Sequence, residues 1–100
     1  MSEFDIGKID DVIHGRLRLG VMAYLANAEV ATFTELKDAL GVTQGNLSIQ
    51  LRKLEDAGYV EIEKKISGRK PLTTARITGR GRKAFGEYLK ALSKLVGDGS

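Results

Sequence analysis

The sequence predicts a mainly α domain carrying one small β-hairpin, an α+β arrangement with helices at both ends. Three observations carry this expectation. Apolar residues recur at three- and four-residue steps in four stretches, the period of a helix with one buried face. Two of those stretches are separated by a turn of about three residues, and each opens on a threonine suited to capping. On either side of Ser67-Gly-Arg-Lys70 the period drops to two, as expected of a strand, a turn and a returning strand.

The first helix is expected over residues 9–26, where Ile9, Val12, Ile13, Leu17, Val21, Met22 and Leu25 mark one face. Gly15 is a candidate break between a short helix and a longer one. Asn27 and the stretch Val30-Ala-Thr-Phe33 then suggest a turn and a very short extended segment. Thr34 is expected to cap the next helix, with Leu36, Ala39 and Leu40 facing inward and Gly41 as a left-handed C-terminal cap. Thr43 is a second N-cap. From it runs a helix with Leu47, Leu51 and Leu54 inward and Gly58 as its stop. Two capped helices so closely joined form a helix-turn-helix.

Val60, Ile62, Lys64 and Ile66 then alternate with Tyr59, Glu61, Glu63 and Lys65. The turn follows, Pro71 is expected to limit pairing beyond it, and Leu72–Ile77 returns. Thr78 caps a final helix with the stripe Ala84, Phe85, Tyr88, Leu89, Leu92 and Leu95. Residues 1–96 are thus read as one domain and 97–100 as a frayed tail.

Composition narrows the function. A chain of 100 residues supports one core, which excludes scaffolds such as the (β/α)₈ barrel at ~250 residues. It holds no cysteine and one histidine, His14, so no metal centre, cofactor or thiol nucleophile is expected. His14 reads as a helix-end or packing residue. No convergent catalytic set is visible, so the protein is not expected to be an enzyme. No apolar run approaches the ~18 residues of a membrane span, and Met-Ser-Glu-Phe-Asp does not read as a signal peptide, so a soluble cytoplasmic protein is expected.

The net charge of +3 is an average over two unlike halves. Residues 1–40 carry net −3 and residues 41–100 net +6, and the window 64–83 has eight basic side chains and no acidic one. A field of one sign on a folded domain attracts polyanions.

The order helix, helix-turn-helix, β-hairpin with a basic tip, helix is that of a winged helix-turn-helix. The chain resembles the compact winged-helix transcriptional regulators of the multiple-antibiotic-resistance-regulator (MarR-like) type, and more narrowly the stand-alone winged-helix DNA-binding domains of about this length. The resemblance is carried by Val12-Ile-His-Gly-Arg-Leu-Arg-Leu19, Leu40-Gly-Val-Thr-Gln-Gly-Asn-Leu-Ser48, Leu51-Arg-Lys-Leu-Glu-Asp-Ala-Gly-Tyr-Val60, Gly68-Arg-Lys-Pro71 and Ile77-Thr-Gly-Arg-Gly-Arg-Lys-Ala-Phe85. These segments fall in the family's order across nearly the whole chain. One position departs from the pattern: members of the group often carry histidine where this chain has Gln50. The resemblance implies a regulator of transcription that binds double-stranded DNA as a homodimer.

The residues suit that role. On the helix from Thr43, the side opposite the leucines carries Gln44, Gly45, Asn46, Ser48, Ile49, Arg52 and Lys53. Amide and hydroxyl groups bond base edges in the major groove, isoleucine meets a thymine methyl, and arginine binds guanine or phosphate. Lys64, Lys65, Ser67, Gly68, Arg69 and Lys70 form a basic wing suited to the DNA backbone or minor groove. Arg80, Arg82 and Lys83 oppose the dipole at the start of the last helix, which makes them candidates for a phosphate contact. Phe4, Ile6 and Ile9, with Phe85, Tyr88, Leu89, Leu92 and Leu95, are the expected dimer surface. The alternative function is a protein-interaction or RNA-binding module in a larger assembly, because fold alone does not fix function. The residues name no small-molecule effector.

Overall fold

A computed structural model describes residues 9–97. The elements run α1 (Arg16–Ala28), β1 (Val30–Thr32), α2 (Phe33–Leu40), α3 (Gln44–Asp56), β2 (Val60–Ser67), β3 (Lys70–Ile77) and α4 (Gly79–Leu95). Phe4, Ile6 and most of the expected tail lie outside the described residues.

Residues 9–15 are not helical, although their apolar spacing suggested it. Asp10 is the reason. Its Oδ1 accepts the N–H groups of Val12 at 2.8 Å and Ile13 at 3.2 Å, while its carbonyl accepts that of His14 at 2.8 Å. Such local bonds compete with helix formation and wind the segment into a turn. Ile9 and Ile13 are buried all the same, so the spacing marked burial and not helix. Gly15 sits in extended conformation just ahead of α1.

The cap of α2 is Thr32 and not Thr34. Thr32 Oγ1 accepts the Glu35 N–H at 3.0 Å, and the Glu35 carboxylate accepts the Thr32 N–H at 2.7 Å. This reciprocal box satisfies two donors that a helix start leaves open. With the helix phased from Thr32, Leu36 is buried and Ala39 is exposed, against its expected inward place. Gly41 takes φ 64° as the C-cap of α2, and Thr43 caps α3 by accepting the Asn46 N–H at 3.1 Å. Leu47, Leu51 and Leu54 are buried, as their spacing predicts.

The sheet has three strands in the order β1-β3-β2, all antiparallel. The third strand is β1, whose three residues pair with Thr74, Ala75 and Arg76. Pro71 does not limit the hairpin, since pairing continues through Ile66↔Pro71 to Ser67↔Lys70. A two-residue loop makes Ser67 and Lys70 a hydrogen-bonded pair, so Ile66 and Pro71 form the next, non-bonded pair. The missing N–H of Pro71 therefore points to the open side of β3, where β1 no longer reaches. Gly68 at φ 66° supplies the positive-φ first position of that loop.

The core lies between α1, α2, α3 and the inner face of the sheet's base, where Ala31, Val60, Ala75 and Ile77 point inward. Tyr88 of α4 closes it, with its hydroxyl 2.9 Å from His14 Nδ1. The inward parity of β2 ends early: Val60 is 2% exposed, but Ile66 on the same face is 70% exposed because the ribbon has left the core.

One corner ties three elements together. The Tyr59 carbonyl accepts the Thr78 N–H at 3.0 Å, and Thr78 Oγ1 donates to the Gly58 carbonyl at 2.7 Å while accepting the Gly81 N–H at 2.9 Å. Gly81 lies flat against the Tyr59 backbone. The Tyr59 hydroxyl in turn donates to Asp10 Oδ2 at 2.5 Å. Burial, and then the hydrogen bond to the Asp10 carboxylate and its charge, push the Tyr59 pKa from 10.0 up to about 12. The folded state thus holds the phenol proton more tightly than the unfolded chain. Its contribution to stability is complete below pH 10 and is lost as pH rises towards about 12. Urea midpoints followed across that window should fall more steeply for wild type than for Tyr59→Phe, and equal slopes would remove the Asp10–Tyr59 bond from the account.

Candidate nucleic-acid interface

The exposed side of α3 collects Gln44, Gly45, Asn46, Ser48, Ile49, Arg52 and Lys53, and Thr43 stands exposed at its start. The leucines at 47, 51 and 54 hold the other side in the core, so helix phase alone fixes this division. Ile49 is 56% exposed, a large apolar side chain in the middle of a polar face. The first-turn N–H groups and the positive end of the helix dipole face outward at Gln44–Asn46, which favours an anion there.

The wing stands beside this helix. Gln44, Ser48, Arg52 and Glu55 of α3, Ile62 and Lys64 of β2 and Pro71–Thr73 of β3 line one groove of about 590 Å³, which Thr32–Thr34 close at the end. Strand parity splits the wing cations between two faces. Lys64 looks into the groove, while Lys65 lies on the other face with Glu63, 3.7 Å from its carboxylate. Ser67, Gly68, Arg69 and Lys70 form the exposed tip.

The basic start of α4 does not join them. Arg80 packs over Gly58, just past the C-terminal end of α3. A helix of 13 residues rises ~20 Å, so this cluster lies about that far along α3 from Gln44. Arg82 already has internal partners: it donates to the Ala26 carbonyl at 3.2 Å and lies 3.9 Å from the Glu29 carboxylate. Arg76 bonds the other Glu29 oxygen at 2.9 Å. Glu29 holds φ 71°, rare for a residue with a Cβ, and these two arginines with the Ile77 N–H on its carbonyl hold it there. Lys83 is exposed.

Two members of the expected dimer surface are buried inside the chain itself, Ile9 at 7% and Tyr88 at 2% exposure, and they leave no face for a partner. Leu89 is 47% exposed, and Phe85, Leu92 and Leu95 are half-buried beside it. The inward phase of α4 centres on Tyr88, a residue the sequence places equally well on an outer stripe.

A contact the sequence did not single out runs behind the reading face. Arg18 of α1 donates from Nε to the Val12 carbonyl and from Nη1 to Gln50 Oε1, both at 2.6 Å. Gln50 Nε2 donates to Asn46 Oδ1 at 3.0 Å. The i,i+4 spacing of Asn46 and Gln50 was a visible signal for the second bond. Nothing local in the sequence announces Arg18, 32 positions away.

A helix-turn-helix whose second helix is bare on one side, flanked by a basic two-stranded ribbon, defines a DNA-binding module of the winged-helix class. The chain belongs to the family described as the winged helix DNA-binding domain, whose model matches residues 17–96. It is 34% identical over 84 residues to an uncharacterized protein of Methanocaldococcus jannaschii, covering 84% of this chain and 91% of that one. It superposes on a transcriptional regulator homologue from Pyrococcus horikoshii OT3 with a TM-score of 0.88 and 30% identity, covering 98% of this chain and 97% of the other. The transcriptional regulator BldR from Sulfolobus solfataricus shares the fold, with a TM-score of 0.69 and 24% identity over 84% of this chain and 59% of that one. The MarR-like resemblance holds at the level of fold, and the class is a non-enzymatic one of DNA-binding regulators. Among the described residues no helix is long and apolar enough to cross a membrane.

Proposed function

We propose that the protein is a sequence-specific regulator of transcription that occupies its operator as a homodimer, with α3 in the major groove and the wing on the backbone or in the minor groove. The observation that carries this is the bare side of α3. Seven exposed residues from Gln44 to Lys53 offer amides, a hydroxyl, an aliphatic group and two cations, and no carboxylate appears until Glu55. An interaction module would more often place apolar anchors on that face, and Ile49 is the single large one. In this reading Arg69 and Lys70 lie on phosphate or in the minor groove, with Lys64 beside them.

The dimer surface is the outer side of α4, Phe85, Leu89, Leu92 and Leu95, joined by Phe4 and Ile6. Two copies related by a twofold axis would read half-sites about one helical turn, ~34 Å, apart. Light scattering should return twice the 10.9 kDa of the chain, and a monomer at micromolar concentration would withdraw the dimer.

Selection of bound sequences from random duplex DNA tests the whole proposal. It should yield a palindromic site, and failure to enrich any sequence would sink it. Arg69→Ala should weaken binding to all duplexes and lower the slope of log affinity against log salt by about 0.9, the share of one phosphate contact. An unchanged slope would take Arg69 off the backbone.

A further inference from the structure

We infer that Arg18 and Gln50 are positioning residues that fix Asn46 as a hydrogen-bond donor towards the base edge, and so decide which bases that position of α3 accepts. The inference rests on the major-groove reading above and adds to it the polarity of one contact.

Hydrogen-bond chemistry runs one way along this chain of side chains. A guanidinium only donates, whereas an amide has a donor end and an acceptor end. Arg18 is held from behind by its Nε bond to the Val12 carbonyl, which aims Nη1 at Gln50. Gln50 must therefore turn its oxygen to Arg18, which leaves its nitrogen to face Asn46. Asn46 must answer with its own oxygen. Its Nδ2 is then the group turned away from the relay, on an exposed residue in the first turn of α3.

A free asparagine meets adenine with two bonds, using its oxygen and its nitrogen together. Here the oxygen is engaged along the helix, so the two-bond contact is given up. A donor alone selects acceptors, which are N7 and O6 of guanine or O4 of thymine, and is mismatched to the N4 amino group of cytosine. Gly15 supports the same arrangement. Its backbone is extended and suits any residue, yet a Cβ there would sit 2.5 Å from Arg18 Nη2 and 2.7 Å from Cζ. The glycine makes room for the guanidinium.

The test is selection from random duplex DNA with wild type, Asn46→Ala, Gln50→Glu and Gly15→Ala, each checked for folding by circular dichroism. Asn46→Ala identifies the base position concerned by flattening its preference. Gln50→Glu has nearly the shape of wild type but offers only acceptors, so Asn46 must turn its nitrogen inward and its oxygen out. At that one position the preference should move by about tenfold from guanine or thymine towards the amino-bearing cytosine or adenine. Gly15→Ala leaves α3 untouched and displaces the Arg18 head, which should broaden the same position about fivefold towards all four bases.

A role confined to tethering α1 to α3 predicts instead a uniform loss of affinity with the base pattern unchanged, and that result overturns the inference. If Gln50→Glu does not fold, the pattern read by Gly15→Ala decides. If wild type selects a sequence but Asn46→Ala alters no position, the inference falls and the DNA-reading proposal stands. If wild type selects nothing, both fall.

Discussion

Replacing Gly81 with alanine is expected to lower the melting temperature by roughly 10–20 °C, the equivalent of ~2–3 kcal/mol for overpacking in a domain of this size. Gly81 lies in the first turn of α4, where a Cβ would overlap the Tyr59 carbonyl oxygen and stand 3.0 Å from the carbonyl carbon. These are backbone atoms, and the same oxygen accepts the Thr78 N–H at 3.0 Å, so neither side yields without undoing the corner. A glycine in α4 should otherwise cost stability, which Gly86 puts to use as a control. It has no atom within reach of an added Cβ, and Gly86→Ala should stabilise by ~0.5–1 kcal/mol. Thermal melts of the two variants, read side by side, separate helix propensity from the close approach. A Gly81→Ala protein that melts with wild type would mean that α4 does not dock on Tyr59 as described.

Leu47→Ala is expected to cost ~3 kcal/mol or more, a large share of the 5–15 kcal/mol that typically holds a domain. Leu47 is fully buried and sits between Asn46 and Ser48, both exposed. It is the anchor that holds the first half of α3 against the core. Removing it leaves a cavity beneath the face proposed to read bases, so affinity should fall for every duplex and not for a particular sequence. Asn46→Ala and Ser48→Ala should leave stability within ~0.5 kcal/mol of wild type. Urea denaturation checks the first claim and binding titrations the second. A Leu47→Ala midpoint near that of wild type would place α3 outside the cooperative core.

Much of this was legible because local chemistry and burial agreed. Thr43, Gly41, Leu47, Leu51, Leu54 and Thr78 each received their role from spacing and capping alone, and the basic hairpin tip from its turn residues. The first segment misled because Ile9, Val12 and Ile13 carry a helical period while Asp10 supplies stronger local bonds to the backbone. The capping box Thr32-Phe-Thr-Glu35 was written in the sequence, and Thr34 only competed with it. The pairing of β1 with β3 joins residues more than 40 positions apart, and no local signal encodes it. Charge counts could not tell Arg82, which serves Ala26 and Glu29, from Arg69, which stands exposed at the wing tip. The polarity of the Arg18–Gln50–Asn46 chain exists only once α1 and α3 are side by side.

The short reach of β1 has a consequence for the free protein. Beyond Thr74 the outer half of β3 is an open edge, able in principle to zip onto the same edge of another molecule. Pro71 withholds a donor at that edge, and Lys64, Lys65, Arg69 and Lys70 make two such ribbons repel. The cations proposed to meet phosphate thus also keep the molecules dispersed before DNA is found. Neutralising them for the sake of weaker binding would expose the chain to strand-to-strand aggregation.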